Sequence, residues 1–207
     1  DSNDNVILIG GFLEVIELCE LCGKHIFGII DNQLKSQYFG YKIFGNDAMA
    51  VELYKEIGEI PLIITPDVPK VRKKLVEYYS EIGFKFAKLI HPGAYISKSA
   101  RIGEGVVIQN FVNISSNVII ENFVKINTFV NIMHDSYIGK YSTIAPNSVI
   151  LGRVKVNDYC YIGANSTILP EKRIGKNSTV GAGSVVTKDV GENETVVGKP
   201  SRLIEKK

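Results

Sequence analysis

From Ile90 to Val186 every sixth residue is isoleucine or valine, without exception. Four residues after each comes a second register of small or β-branched residues, running from Ala94 to Val190 and interrupted only by Lys172. A period of six matches neither an amphipathic helix nor the alternation of a half-buried strand. It suits a chain that turns a corner every six residues and buries one aliphatic side chain on each flat side. The pattern predicts a parallel β-helix of triangular section, three hexads making a coil of about 18 residues and coils stacking at about 4.8 Å. β-Branched residues pack well on such flat sides. Glycines such as Gly103, Gly139 and Gly152, with asparagines such as Asn117 and Asn147, are expected to supply the turn conformations at the corners.

The first 89 residues have a different rhythm. Val6 to Ile9 is a short apolar run, followed by Gly10 and Gly11, an amphipathic stretch from Leu13 to Leu21, Gly23 as a helix stop, and a second apolar run, Ile26 to Ile30, ending at Asp31. Strand, glycine turn, helix, strand and acidic residue is the order of a nucleotide-binding βαβ unit. Asp47 is expected to cap a helix from Ala48 to Ile57, Pro61 to Ile64 to form a third strand, Val68 to Ile82 a helix, and Lys85 to Ile90 a strand entering the solenoid. These elements predict a small α/β domain over residues 1–89, a β-helix over 90–190 and a tail over 191–207.

A formal charge of +2 over 207 residues, with the charges evenly spread, gives no footprint for nucleic acid. No apolar run reaches the roughly 18 residues of a membrane span, and no signal sequence opens the chain, so Asp1 to Asn5 reads as a flexible leader. Cys19, Cys22 and Cys160 make an odd count without a disulfide framework, which points to a reducing, cytoplasmic location. Cys19 and Cys22 lie within the apolar pattern of a helix and read as packing residues, with a redox or metal role as the alternative.

The solenoid segments IGEGVV, IGKYST, IGANST, IGKNST and VGAGSV resemble the left-handed β-helix of the hexapeptide-repeat acyltransferases. With a Rossmann-like domain before it, an LIHP junction (Leu89 to Pro92) and a closing VVGKPSRLI (Val196 to Ile204), the chain resembles the sugar O- and N-acetyltransferases of the sialic acid and bacillosamine pathways. The resemblance implies that the N-terminal domain holds a nucleotide-sugar through Gly10, Gly11, Asp31 and Asn32. Its glycine loop, LIGGFLEV, is a few residues shorter than in those relatives.

His134 is the one histidine of the repeat, two places after Ile132 and next to Asp135. A carboxylate beside an outward imidazole can hold one tautomer and raise its basicity. Adjacent residues of a strand point to opposite faces, so their contact requires a corner. The resemblance implies that His134 is the general base, with Asn127 seven residues before it and Gly152 eighteen after it matching the acyltransferase pattern. Eighteen residues is one coil, so Gly152 is expected directly over His134, its N–H able to polarise a thioester carbonyl. Thr143 stands where the nucleotide-amino-sugar enzymes carry a second histidine. Ala164, Ala182, Lys188, Lys199 and Pro200 match positions lining the path of acetyl-CoA, which lies between the subunits of a homotrimer in such enzymes. Outward apolar residues, Phe111, Phe123 and Phe129, suit that assembly. Cys160 falls in a core register, which argues against an acyl-enzyme.

The expected function is acetyl transfer from acetyl-CoA to the amino group of a nucleotide-linked deoxyamino sugar, with sialic acid O-acetylation as the alternative. Two other classes compete. A zinc hydratase would need three converging histidines, and His25 and His91 lie outside the repeat, so no metal is expected. A non-catalytic binding solenoid would have no affinity for CoA.

Overall fold

The computed structural model describes residues 4–204, divided between one unit of residues up to 67 with 71–89 and a second of residues 68–70 with 90 onward. In the first unit, β1 (Asn5–Ile9), β2 (His25–Ile30), β3 (Gln37–Tyr38), β4 (Tyr41–Gly45) and β5 (Leu62–Ile64) form one sheet in the order β3-β4-β2-β1-β5. The pairs β4–β2, β2–β1 and β1–β5 are parallel. Ile7, Leu8, Ile29, Leu62 and Ile63 are almost wholly buried, as expected of strands covered on both faces.

Helix α1 (Leu13–Leu21) buries Val15, Ile16, Leu18 and Cys19, one stripe at helical spacing, and ends before Gly23 at φ +67°. The Cys19 thiol lies in that stripe, where burial pushes its pKa up to about 12. Helix α2 (Ala50–Ile57) and helix α3 (Pro69–Ile82) complete the unit, α3 beginning on a proline whose fixed φ suits a first turn.

Three readings of this region change. Strand β4 was not visible in the sequence, because YKIFG is short, carries a glycine and does not alternate. The cap before α2 is Asn46, whose side chain accepts from Ala48 N at 3.1 Å, and Asp47 instead opens a 3-10 turn. Over Lys85 to Ile90 only Leu89–Ile90 forms a strand, with a single bridge from Phe86 to Leu62. Residues 1–3 of the expected leader lie outside the described residues, as do 205–207. Asn5 already belongs to β1, and the Asp4 carboxylate accepts from Lys24 Nζ at 2.9 Å.

The second unit is the parallel β-helix that the six-residue period predicts, with the left hand that the resemblance implies. Its three faces are sheets of eight, six and five short strands. Face 1 carries Lys125–Ile126, Thr143–Ile144 and Tyr161–Ile162, face 2 Asn113–Ile114, Asn131–Ile132 and Val149–Ile150, and face 3 Ile119–Ile120, Tyr137–Ile138 and Lys155–Val156. Each strand pairs in register with the one 18 residues on, as Ile132 with Ile150, so the aliphatic residues stack into one column per face. From Ile108 to Val186 every one of them is at most 1% exposed, a contribution of about 2 kcal/mol per side chain. Small residues of the second register lie inside the corners. There Ser136 Oγ donates to Leu151 O at 3.0 Å and Ser142 Oγ to Asn157 O at 3.0 Å. After residue 190 the chain adds Thr195–Val197 to face 1 in parallel and Arg202–Leu203 antiparallel to it.

The corners work differently from the expectation. The residue three places after each aliphatic position has φ near +60° from 105 to 183, and phenylalanine, tyrosine, aspartate, arginine and glutamate occupy it as well as asparagine and glycine. Hydrogen bonds to the preceding coil, such as Asp135 N to Ser116 O at 2.9 Å, override local preference there. Gly139 and Gly163 are needed for a different reason: a Cβ on Gly139 would stand 2.5 Å from Asn157 C and Asp158 N. Side chains at these corners stack coil upon coil. Phe111 and Phe129 stack at 4.9 Å and remain exposed, but Phe123, expected outside, is 6% exposed and stacks on Tyr141 at 5.3 Å. Among the described residues no helix is long and apolar enough to cross a membrane.

Candidate active site

His134 stands on the corner between faces 2 and 3. Strand Asn131–Ile132 ends just before it, and Asp135 at φ +59° reverses the chain. That left-handed residue supplies the corner that adjacent side chains need in order to meet. His134 Nδ1 and Asp135 Oδ2 are 2.8 Å apart, with both side chains 46% exposed. The hydrogen bond from the His134 ring, followed by one from Asn117 Nδ2 at 3.1 Å, holds the Asp135 carboxyl below the usual carboxylate range, against a smaller opposing effect of burial. A carboxylate on Nδ1 places the ring proton there and leaves the Nε2 lone pair to accept one.

The register of face 2 puts Gly152 one coil above His134, and Arg153 N donates to His134 O at 2.9 Å. A Cβ on Gly152 would lie 2.7 Å from Nε2 and 2.8 Å from Cε1 of the ring. Glycine is therefore present because the imidazole occupies the space of a side chain, and not for its backbone conformation. No acceptor for the Gly152 N–H is recorded among the described residues.

The remaining positions expected on the acetyl-CoA path are not gathered around His134 within one chain. Lys188 is exposed on the same corner three coils on, in the column that runs through His134 and Gly152. Ala164, Ala182, Lys199 and Pro200 lie on the corner after face 1, across face 2 from His134. Asn127 and Thr143 are buried on face 1, so the Thr143 hydroxyl sits apart from the His134 edge. Cys160 is buried, its Sγ 3.0 Å from Gly175 O, and burial pushes the thiol up to about 11. A thiol of this kind is a poor nucleophile.

In the first unit, Gly10 follows β1 at φ +94°, and Gly11 N donates to Asp31 Oδ2 at 2.8 Å. The other oxygen of Asp31 accepts from Gln33 N at 2.7 Å and Leu34 N at 2.9 Å. Burial pushes the Asp31 carboxyl up, but the backbone donors of Gly11, Leu34 and Gln33 outweigh it and hold it below its ordinary range. The residue thus ties the glycine turn to the end of β2. Beside it is a cavity of about 320 Å³ lined by Gly10, Asp31, Asn32, Gln33 and Asp47 against apolar Ile9, Ile30, Pro66, Val71 and Leu75. Asn32 and Asp47 are paired twice, Nδ2 to Oδ2 at 2.7 Å and Asp47 N to Oδ1 at 3.0 Å, while Tyr79 OH donates to the other Asp47 oxygen at 2.6 Å. Sequence reasoning assigned Asp47 only a capping role and Asn117 only a turn role, and missed the contact of Asn117 with Asp135. The signal for Asn117 was present, because it lies one coil before Asp135.

Among the described residues no group of three histidine, cysteine or acidic side chains is placed to hold a metal ion. The solenoid matches the family described as bacterial transferase hexapeptide (six repeats) over residues 117–152, 135–170 and 153–188. The chain is 34% identical over 97 residues to GDP-perosamine N-acetyltransferase of Escherichia coli O157:H7, covering 47% of this chain and 44% of that protein. It is 37% identical over 81 residues to UDP-N-acetylbacillosamine N-acetyltransferase of Bacillus subtilis (strain 168), covering 39% of this chain and 38% of that one. These matches span less than half the length of either curated relative. Among solved structures, PerB from Caulobacter crescentus in complex with CoA and GDP-perosamine superposes with a TM-score of 0.92 at 29% identity, covering 97% of both chains.

Proposed function

We propose that the chain is a hexapeptide-repeat acyltransferase with an N-terminal Rossmann-like domain, in line with the repeats over residues 117–188 and the likeness to PerB, and that it transfers acetyl from acetyl-CoA to the amino group of a nucleotide-linked deoxyamino sugar, with His134 as general base. The observation that carries this reading is the 2.8 Å contact of His134 Nδ1 with Asp135, with Nε2 facing the vacant side of Gly152. The neutral amine attacks the thioester carbonyl as Nε2 takes its proton. The Gly152 N–H stabilises the oxyanion. The C–S bond then breaks, and the CoA thiolate recovers the proton from the imidazolium. No acyl-enzyme is needed, in keeping with the burial of Cys160.

The nucleoside occupies the cavity of the first unit. Its lining has two carboxylates and no cation, which suits ribose hydroxyls as donors and leaves the diphosphate outside. The wide separation of His134 from Ala164, Ala182, Lys199 and Pro200 suits a homotrimer in which the corner after face 1 on one copy meets the His134 corner of another. Acetyl-CoA then lies between copies, Lys188 and Lys199 beside its phosphates.

Asp31→Ala, which frees three backbone donors, is expected to destabilise the first unit by on the order of 1 kcal/mol after solvent screening. It should also weaken sugar-nucleotide binding while acetyl-CoA affinity stays the same. Calorimetry with each ligand separately checks the split. Since the folded carboxyl is depressed below 3.8, the stability it adds is present above that pH and lost as pH falls through the folded value, which acid melts of wild type against Asp31→Ala will reveal.

The function itself is tested by release of free CoA from acetyl-CoA with UDP-, dTDP- and GDP-linked amino sugars and with free sialic acid. Turnover with an amino-sugar nucleotide supports the reading. Turnover with sialic acid alone would replace it by O-acetylation, and no affinity for CoA at all would leave a binding solenoid.

A further inference from the structure

The corner beside His134 continues above and below it as a column of polar side chains, Asn117, Asp135, Arg153 and Glu171, each 18 residues from the next. All four share one backbone conformation, with φ of 58°, 59°, 60° and 65°, so their side chains leave the corner in the same direction at a coil spacing of about 4.8 Å. They are joined as two pairs. Asn117 Nδ2 donates to Asp135 Oδ1 at 3.1 Å, and Asn117 is itself anchored through its backbone N to Ser99 Oγ at 2.9 Å. Arg153 donates through Nε and Nη2 to a single oxygen of Glu171, at 3.0 and 2.8 Å. No hydrogen bond is recorded between Arg153 and Asp135, although arginine lies on the next coil and is the strongest partner a carboxylate could find there.

This arrangement has a chemical consequence. Asp135 has two oxygens and three candidate donors: the imidazole, the Asn117 amide and the Arg153 guanidinium. Asn117 takes Oδ1, which turns Oδ2 toward Nδ1 of His134. Arg153, if it were free, would compete for the same carboxylate and leave the imidazole without the partner that fixes its tautomer. Glu171 removes that competitor. We propose that Asn117 and Glu171 are positioning residues for the transfer: Asn117 orients the Asp135 carboxylate from the coil before, and Glu171 draws the Arg153 guanidinium away from it on the coil after, so that Asp135 is left to His134. The proposal rests on His134 as the base.

The test reads the tautomer of His134 in the full chain, without substrate, by two-bond proton–nitrogen correlation at about pH 8.5, where imidazoles are neutral. The chain has 3 histidines, and His134 is assigned by its loss in His134→Ala. Wild type should show the proton on Nδ1. Glu171→Gln and Asn117→Ala should each move the ring toward a mixture with the Nε2–H form and lower kcat about tenfold, with KM for acetyl-CoA unchanged within about twofold. The double variant R153Q/E171Q should recover the wild-type spectrum and kcat, because the competitor has gone. A wild-type spectrum in Glu171→Gln, or a double variant that fails to recover, would overturn the role of Glu171, and a wild-type spectrum in Asn117→Ala would overturn that of Asn117. Both side chains of the Arg153–Glu171 pair are more than half exposed, so these variants will fold. Because the spectra need no substrate, they stand or fall separately from acetyl transfer: a chain inactive on every sugar can still show the tautomer response.

Discussion

Replacing His134 by alanine is expected to lower kcat by about 10² to 10⁴ while the melting temperature and CoA affinity stay close to wild type. The side chain is exposed at a corner and contributes nothing to the aliphatic core, so the loss will be chemical and not structural. The range follows from what a general base ordinarily contributes. With it gone, the amine must lose its proton to water, and Asp135, held off the reacting atom by the width of the ring, cannot substitute. Steady-state assays with thiol detection, beside a thermal melt of each protein, measure both quantities. Retention of more than about half the wild-type kcat would remove His134 from the mechanism.

The second large effect is expected at Gly152. Its φ lies outside the left-handed region, so alanine causes no backbone strain there. Its Cβ, however, would be 2.7 Å from His134 Nε2, the atom we propose accepts the proton. The backbone of the stacked coils is rigid, whereas the ring is half exposed, so the ring will be the part that moves. A displacement of the order of an ångström at a reacting group costs about 10²-fold, and Gly152→Ala should lose kcat by about that factor with a melting temperature within about 2 °C of wild type. The Asp135 carboxyl should then lie nearer its ordinary range, since its first support is the hydrogen bond from the imidazole. Full activity in Gly152→Ala would mean that the ring does not act from the position in which it is seen.

The solenoid could be read from sequence because each coil repeats the same local requirement. One aliphatic side chain must fill each flat side, and nothing distant in sequence alters that. The same regularity places Gly152 over His134, since one coil is 18 residues. The first βαβ of the N-terminal unit was legible for a similar reason: buried parallel strands are short apolar runs, and the glycines between them mark the turn. What the sequence hid depends on contacts between coils or on exceptions to local preference. Phenylalanine, tyrosine, aspartate and arginine occupy left-handed corners that propensity assigns to glycine or asparagine, because the ladder of the preceding coil dictates the backbone. Phe123 looked like an exposed aromatic, but Tyr141 and the corner cover it. Strand β4 joins the sheet through its neighbour β2 and not through any pattern of its own. The Asn117–Asp135 contact is not legible because the partner is a coil away, and the role of Asp47 because a residue before a helix has an ordinary capping explanation. The residues expected on the acetyl-CoA path fall on two corners of one chain, because each was matched singly to a motif and not to a common corner.

Acetyl-CoA labelled with ¹³C in the acetyl group, given to the wild-type chain with an amino-sugar nucleotide that supports CoA release, provides the most direct measurement. Carbon–nitrogen coupling in the product, and the mass of the protein during turnover, locate the label at each stage. Direct transfer predicts label on the amino nitrogen of the sugar, none on the protein at any time, and labelled product from His134→Ala only at a rate about 10² to 10⁴ below wild type. Label on a hydroxyl oxygen, label carried by the protein, or labelled product at the wild-type rate from His134→Ala would contradict it.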